Sequence, residues 1–266
     1  MPLGQLILTG WIAVAILMLV LWLVQARTRN AGIVDIAWAF ATAILGVYFS
    51  LYNDAGHSTR QMLLAFIVAI WGLRLGIYLT QRAFVEEEDG RYRYLRRTLG
   101  AKVQPFMFVF FQVQALWAVM FALPIWAAAR APGEMLQWND YAGLILWLGC
   151  FAGEAIADRQ LHQYRRKSSD KQGVCEEGLW RYSRHPNYFF EWMQWWAYVL
   201  IGIGSDVWWI TWLGVAIMLV FLVKVTGIPY TEQQALRSRG DAYRRYQKTT
   251  SRFIPLPRKQ ITGEPS

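Results

Sequence analysis

Seven apolar segments, each long enough for a helix to cross a bilayer, most constrain how this chain can fold. They cover residues 6–24, 32–52, 61–80, 105–128, 141–157, 187–204 and 207–228. Only helices and closed barrels can cross a membrane, and the alternating pattern of barrel strands is not visible. We therefore predict an all-α membrane protein, one domain over 1–266, with seven transmembrane helices and a C-terminal amphipathic cytoplasmic helix at about 229–248. The spacing of Gly72 and Gly76 indicates a helix-packing face in the third span.

The basic residues are distributed unevenly between the two sides of this arrangement. Of 27 Lys and Arg residues, only Arg60 and Arg130 fall on one side, and Arg74 and Lys224 lie within spans. Because cytoplasmic segments carry the excess of Lys and Arg, we expect the N terminus outside and the C terminus in the cytoplasm. Anionic membrane lipids account for the net charge of +9, so we expect no nucleic-acid partner.

Ionisable side chains within the spans collect near the predicted cytoplasmic ends. They include Asp35, Arg74, Glu154, Asp158 and Glu191. Such groups are costly in a membrane unless they are paired or hydrated, so they indicate a polar cavity that opens to the cytoplasm. Snorkelling anchors are the alternative, and for Lys224 and Arg82 both interpretations stay open. Glu154 and Asp158 are either a like-charge pair that shares a proton or two acceptors for ligand hydroxyl groups.

The segment from Asp158 to Tyr188 suggests what occupies such a cavity. It interleaves aromatic residues with basic ones, namely Arg159, Arg165, Arg166, Lys167, Lys171, Arg181 and Arg184. Arginine forks bind phosphates, and the SRHPNY turn runs into a helix whose N terminus favours an anion. The pattern favours a phosphate-rich nucleotide, although a basic segment beside a membrane is also typical of a simple anchor. Neither a G-x-G-x-x-G nor a Walker sequence is present, and three histidines and two cysteines do not form a metal motif.

The turn Arg184-His185-Pro186-Asn187-Tyr188, with Glu191 after it, resembles the membrane steroid 5α-reductase family, and its bacterial branch in particular. The resemblance extends through most of the chain, over 34–38, 71–75, 158–165, 178–188, 232–246 and 253–255. The motif is less specific to one reaction, because isoprenylcysteine-type methyltransferases also carry an R-H-P-x-Y turn.

The resemblance implies a seven-helix enzyme that binds NADPH on the cytoplasmic side and reduces the C=C bond of an α,β-unsaturated ketone, usually a 3-oxo-4-ene steroid. Hydride adds to the β carbon, and an acid stabilises the enolate oxygen. We expect a monomer in the bacterial inner membrane that takes a lipophilic enone from the bilayer, contacts membrane lipids and uses no metal. The residues assigned to the cofactor are Arg74, Glu154, Asp158, Arg165, Arg166, Arg181, Arg184, His185, Asn187, Tyr188, Glu191, Tyr230 and Glu232.

The expected catalytic residues are Asp35, Trp38 and Tyr78, with Asp35 as the protonated acid at the carbonyl oxygen. Here the chain departs from the family pattern. Eukaryotic members have a Gln-Glu pair on the second span where this chain has Asp35 and Trp38, and the span-three tyrosine of the family has no clear equivalent. Phe190 also stands where the family has a small residue. Its bulk argues against a close approach of another helix or of the cofactor to the helix backbone at that position.

Two other functions remain compatible with the sequence. One is methyl transfer from S-adenosylmethionine to a lipid or a prenylated thiol, with the His-Pro turn holding the adenosine part. Arg74, Arg165, Arg166 and Lys167 argue against it, because they supply more positive charge than such a cofactor needs. The other is a sterol-binding membrane protein without catalytic activity.

Overall fold

A computed structural model describes residues 1–85, 88, 90–168 and 173–259. The described residues form α-helices and short 3-10 and π segments, and they contain no β-strand. The α-helices are α1 (Leu3–Thr28), α2 (Ile33–Leu51), α3 (Ser58–Val85), α4 (Gly90–Leu99), α5 (Val103–Ala129), α6 (Trp138–Lys167), α7 (Pro186–Ile201), α8 (Thr211–Val220) and α9 (Ile228–Thr249). The prediction of an all-helical chain is therefore confirmed for the described residues.

Among the described residues, six helical segments are long and apolar enough to cross a membrane, whereas seven spans were predicted. The first three are α1, α2 and the part of α3 from Ser58 to Gln81. The fourth contains α4 and α5, the fifth is α6, and the last, Trp208–Thr249, contains α8 and α9. The span predicted over 187–204 is not among the six, because α7 has only 16 residues and ends at Ile201. The sequence Gly202-Ile203-Gly204 follows, and Gly204 adopts a φ of 92°, which interrupts the helix.

The chain divides into two compact units. Unit 1 comprises Met1–Asp140 and Ile201–Thr211, and unit 2 comprises Tyr141–Leu200 and Trp212–Ser266. In unit 1, α2 makes its most extensive contacts with α3 and α5. A Cβ atom on Gly72 would lie 2.1 Å from that of Ala43, and one on Gly76 would lie 2.4 Å from the Phe40 ring. The packing face predicted from these two glycines is therefore confirmed.

Helix α4 is fixed within unit 1 by a polar network that the sequence did not predict. Arg96 donates to the Glu88 carboxylate at 2.9 and 3.0 Å and to the Gln25 side-chain oxygen at 2.8 Å. Gln25 in turn donates to Gln104 at 2.8 Å, and Glu88 accepts the backbone N–H of Ala31. This network joins the end of α1 and the starts of α2 and α5 to α4.

The two isolated arginines of the sequence, Arg60 and Arg130, both form ion pairs within unit 1. The Arg60 guanidinium meets the Asp140 carboxylate through two bonds of 2.6 and 2.7 Å, and both side chains are almost completely buried. Arg130 pairs with Asp54 and Asp206, whose side chains are 48% and 61% exposed. These arginines therefore stabilise the connections between the helices.

In unit 2, α9 and the segment that follows it pack around the turn before α7. Helix α9 bends at Gly240, which has a φ of 51° and a ψ of −121°. Tyr246 of α9 donates to the backbone carbonyls of Trp180 and Ser183. Ser183 donates its hydroxyl to the Phe253 carbonyl at 2.7 Å. A C-terminal helix close to the predicted 229–248 is thus present, while its amphipathic, cytoplasmic character stays a prediction.

Candidate functional site

An acceptor-rich face lies where α6 and α7 pack together in unit 2. We call Glu154, Asp158, Asn187, Glu191 and Gln194 the acceptor stripe. Gln194 donates to Glu154 at 2.7 Å, and Asn187 donates to Asp158 at 3.1 Å. Glu191 lies between these two amides on the same face of α7, because residues 187, 191 and 194 follow the helical spacing.

Two amide oxygens of the acceptor stripe are buried without a hydrogen-bond partner among the described residues. They are Asn187 Oδ1 and Gln194 Oε1, and the Gln194 side chain is almost fully buried. A buried acceptor without a partner is unfavourable, and most such atoms in proteins are satisfied. The stripe can therefore accept hydrogen bonds from a ligand that carries hydroxyl or amide N–H donors.

The structure explains the bulky Phe190 in the middle of this region. A Cβ atom on Gly153 of α6 would lie 2.6 Å from the Phe190 ring. The small residue of this helix contact is thus on α6, and the large one is on α7. Phe190 is therefore compatible with close packing of the two helices that carry the acceptor stripe.

The turn before α7 is held by a buried cluster around Glu232. Its Oε1 accepts from Arg184 Nε at 2.7 Å and lies 3.4 Å from His185 Nε2. Arg184 Nη1 donates to the carbonyls of Gln247 and Thr250, both at 2.9 Å. The structure thus directs Arg184 and Glu232, both assigned to the cofactor from the sequence, toward each other and toward the backbone.

The surroundings of His185 in this cluster favour its neutral form. Burial lowers its pKa, and its contact with Glu232 opposes that shift only in part. Its ring stacks on Tyr188, with centroids 5.5 Å apart and planes inclined by 4°. The Tyr188 hydroxyl lies 3.3 Å from the hydroxyl of Thr231, the residue after Tyr230 in α9. The stacked pair therefore joins the turn to the start of α9.

Three arginines of unit 2 have exposed side chains that make no ion pair with the described residues. Arg165 and Arg166 lie in the last turn of α6, and Arg181 ends the 3-10 turn Gly178–Arg181. That turn is held against α6, because Trp180 Nε1 donates to the Ala157 carbonyl at 2.9 Å. The three guanidinium groups can therefore bind a phosphate-bearing ligand.

The predicted catalytic residues, together with Arg74, lie in unit 1. Asp35, in the first turn of α2, accepts from Arg91 Nη2 at 2.8 Å and from the Tyr92 hydroxyl at 2.7 Å. Arg91 and Tyr92 belong to α4 and were not among the residues predicted for the site. Asp35 is therefore held by two side chains of α4, and its role as the acid at the carbonyl oxygen stays a prediction. Tyr78 is half exposed on α3.

Comparison with known proteins places the chain in a family. The family described as "Protein of unknown function (DUF1295)" matches residues 21–250. The chain belongs to this family. A relative in Schizosaccharomyces pombe, an uncharacterized protein, is 28% identical over 268 residues, which cover 89% of this chain and 76% of the yeast protein. No solved structure gives a significant match.

Every residue assigned to a site lies inside the region that matches the DUF1295 family, from Asp35 to Glu232. The sequence did carry a signal for the missed pair, since Arg91 and Tyr92 belong to an alternating Arg-Tyr-Arg-Tyr stretch. Its alternation of guanidinium and phenol groups would have justified considering it beside Asp35.

Proposed function

We propose that this protein is an NADPH-dependent reductase of the C=C bond of a lipophilic α,β-unsaturated ketone, such as a 3-oxo-4-ene steroid from the bilayer. The observation that carries the proposal is the acceptor stripe, with its two buried oxygens that lack partners among the described residues. Exposed arginines at the end of α6 supply the complementary charge for phosphates. The DUF1295 family includes steroid 5α-reductase-like proteins, which supports this reaction class.

The residues of unit 2 fit a dinucleotide. Ribose hydroxyls and a carboxamide N–H₂ are donors, and Asn187 Oδ1 and Gln194 Oε1 offer acceptors. Arg165, Arg166 and Arg181 offer donors for the phosphate oxygens. Arg184 and Glu232 hold the turn between these two sets of groups, so their contribution to binding is to orient neighbouring residues.

The chemistry that NADPH supplies when bound is a hydride for the β carbon of the enone. As the C=C bond is reduced, negative charge develops on the carbonyl oxygen, and hydrogen-bond donors must stabilise it. Asp35, Trp38 and Tyr78 stay the predicted substrate residues. A position within apolar helices favours this role, because exclusion of water strengthens each hydrogen bond to the developing charge.

The test is a titration of the purified protein in detergent with NADPH, followed by fluorescence. Addition of a 3-oxo-4-ene steroid should then decrease the absorbance of NADPH. The double variant Arg165→Gln/Arg166→Gln should weaken NADPH binding about tenfold or more, because charged hydrogen bonds to phosphate are lost. The matched control is Arg237→Gln/Arg245→Gln, which removes the same charge from exposed positions on α9. Equal affinities in the two double variants would contradict the phosphate site.

One observation favours a second function, methyl transfer from S-adenosylmethionine. Glu154, Asp158 and Glu191 place three carboxyl groups on the acceptor stripe, and a cofactor with a sulfonium and an ammonium group would complement them. Equilibrium dialysis with each cofactor distinguishes the two functions. Binding of S-adenosylmethionine without binding of NADPH would support the methyltransferase and exclude the reductase.

For the membrane, we propose seven crossings in a bacterial inner membrane, with the C terminus and α9 in the cytoplasm. A helix of 16 residues, such as α7, is about 24 Å long and falls short of a hydrocarbon core of about 30 Å. Local thinning of the bilayer can accommodate such a mismatch. Reporter fusions at the two termini provide the test: seven crossings put the termini on opposite sides, and six put them on the same side.

A further inference from the structure

One face of α2 carries two buried hydrogen-bond donors whose polar atoms find no partner among the described residues. They are the indole Nε1 of Trp38 and the hydroxyl of Thr42, which is fully buried. Residues four positions apart lie one above the other on a helix, about 6 Å apart along its axis. Asp35 lies on the same face, three residues before Trp38.

The lack of a partner for Thr42 is unusual within this chain. A threonine in a helix commonly donates its hydroxyl to the backbone carbonyl four residues earlier. Thr9 does so to Gln5 at 2.7 Å, and Thr80 does so to Gly76 at 2.6 Å. For Thr42 that local bond is not formed, so its donor stays available to another acceptor.

These donors lie inside the helical packing of unit 1. The Trp38 ring packs edge-on against Phe121 of α5, with centroids 5.5 Å apart, and it adjoins a core that contains Val34 and Leu45. A ligand that reaches the two donors must therefore be largely apolar, with a polar atom at this position.

The two donors on this face of α2 determine which kind of polar atom the ligand must carry. An indole N–H can only donate, so the ligand must present an acceptor, and a ketone oxygen has two lone pairs for two donors. The positive charge of Arg91 is already paired with Asp35. That arginine therefore does not provide a free positive charge for an anionic ligand. A neutral carbonyl oxygen fits better than a carboxylate or a phosphate.

We propose that Trp38 and Thr42 form the donor pair that binds the carbonyl oxygen of the lipophilic substrate. The identity of that substrate as an enone rests on the proposed function. The donor pair stabilises the oxygen while it carries negative charge, and Asp35, on the same face, accepts hydrogen bonds from Arg91 and Tyr92.

The experiment compares Thr42→Val and Trp38→Phe with the wild-type protein. Binding of a 3-oxo-4-ene steroid and of the same skeleton without the oxo group is measured in the absence of NADPH. The thermal midpoint of the unliganded protein is measured in parallel. The matched control is Ser50→Ala, because Ser50 is also fully buried on α2 but its hydroxyl donates to the Val47 carbonyl at 3.0 Å.

We expect Thr42→Val to leave the midpoint unchanged or raised, since it removes a buried hydroxyl without a partner. Preference for the oxo compound should fall about tenfold or more in Thr42→Val and in Trp38→Phe. Ser50→Ala should lower the midpoint and keep the preference. A loss of preference together with an absence of NADPH turnover would support the donor pair while refuting the reductase.

Two results would overturn the proposal. In the first, Thr42→Val lowers the midpoint as much as Ser50→Ala does and leaves the preference intact, as expected for a hydroxyl with a purely structural role. In the second, the wild-type protein binds the oxo and deoxy compounds equally well.

Discussion

Removal of Arg60 should destabilise the protein more than removal of any exposed arginine, because it leaves a buried charge without its partner. The side chains of Arg60 and Asp140 are 1% and 0% exposed, and two hydrogen bonds of 2.6 and 2.7 Å join them. In Arg60→Met, the carboxylate would keep the backbone N–H of Gln137 at 2.7 Å as its described donor. Breaking a buried pair from one side costs about 3–5 kcal/mol.

Thermal unfolding in detergent, followed by the monodisperse fraction on size exclusion, measures this loss. For a chain of this size, 1 kcal/mol corresponds to a shift of about 2–4 °C, so Arg60→Met should lower the midpoint by about 6–20 °C. Arg130→Gln is the matched control, and its loss should be about 0–1 kcal/mol because the partners of Arg130 are half exposed or more. The double variant Arg60→Met/Asp140→Leu should recover most of the stability. Similar small shifts for Arg60→Met and Arg130→Gln would refute the argument from burial.

Three further changes test other parts of the structure by the same thermal assay. Gly56→Ala should lower the free energy of unfolding by more than about 1 kcal/mol, because Gly56 has a φ of 86° and the new Cβ would lie 1.9 Å from the Ala129 carbonyl oxygen. An unchanged midpoint would contradict this backbone conformation of Gly56. Tyr246→Phe should cost about 1–3 kcal/mol, because buried carbonyls such as that of Trp180 lose their donor. Burial lowers the pKa of His185, so the unfolded chain binds the extra proton first, and stability should fall as the pH decreases below about 6.5. His185→Gln should reduce this dependence of stability on pH. If the variant keeps the same dependence, other titratable groups are its cause.

The positions of most helices could be predicted from apolar length alone. The second predicted span, 32–52, differs from α2 by one residue at each end, and the predicted span 61–80 lies inside α3. Continuous apolar runs have this predictive value because a helix must satisfy its backbone wherever water is excluded. Helix α4 was missed because its Gly90–Leu99 sequence is basic and aromatic, without an apolar run. The end of α7 depends on two glycines, which a count of apolar residues does not register.

The partners of the charged residues could not be predicted, because they are far apart along the chain. Arg60 and Asp140 are separated by 80 positions, and Arg184 and Glu232 by 48. The sequence indicates that such groups lie near the ends of apolar segments, where a charge needs compensation. It does not indicate whether the compensation comes from another side chain or from a ligand, since that depends on tertiary packing.

The same distinction separates residues that hold the fold from residues that can bind a ligand. Arg184 and Glu232 were both assigned to the cofactor from the sequence, and the structure satisfies them with each other and with backbone carbonyls. Thr42 and Gln194 were inconspicuous, yet each has a buried polar atom without a partner among the described residues. An unsatisfied buried polar group costs free energy, and a bound ligand that supplies the missing hydrogen bond would recover that cost. Thr42 on α2 and Gln194 on α7 are therefore better candidates for direct ligand contact than Arg184 in the R-H-P-N-Y turn.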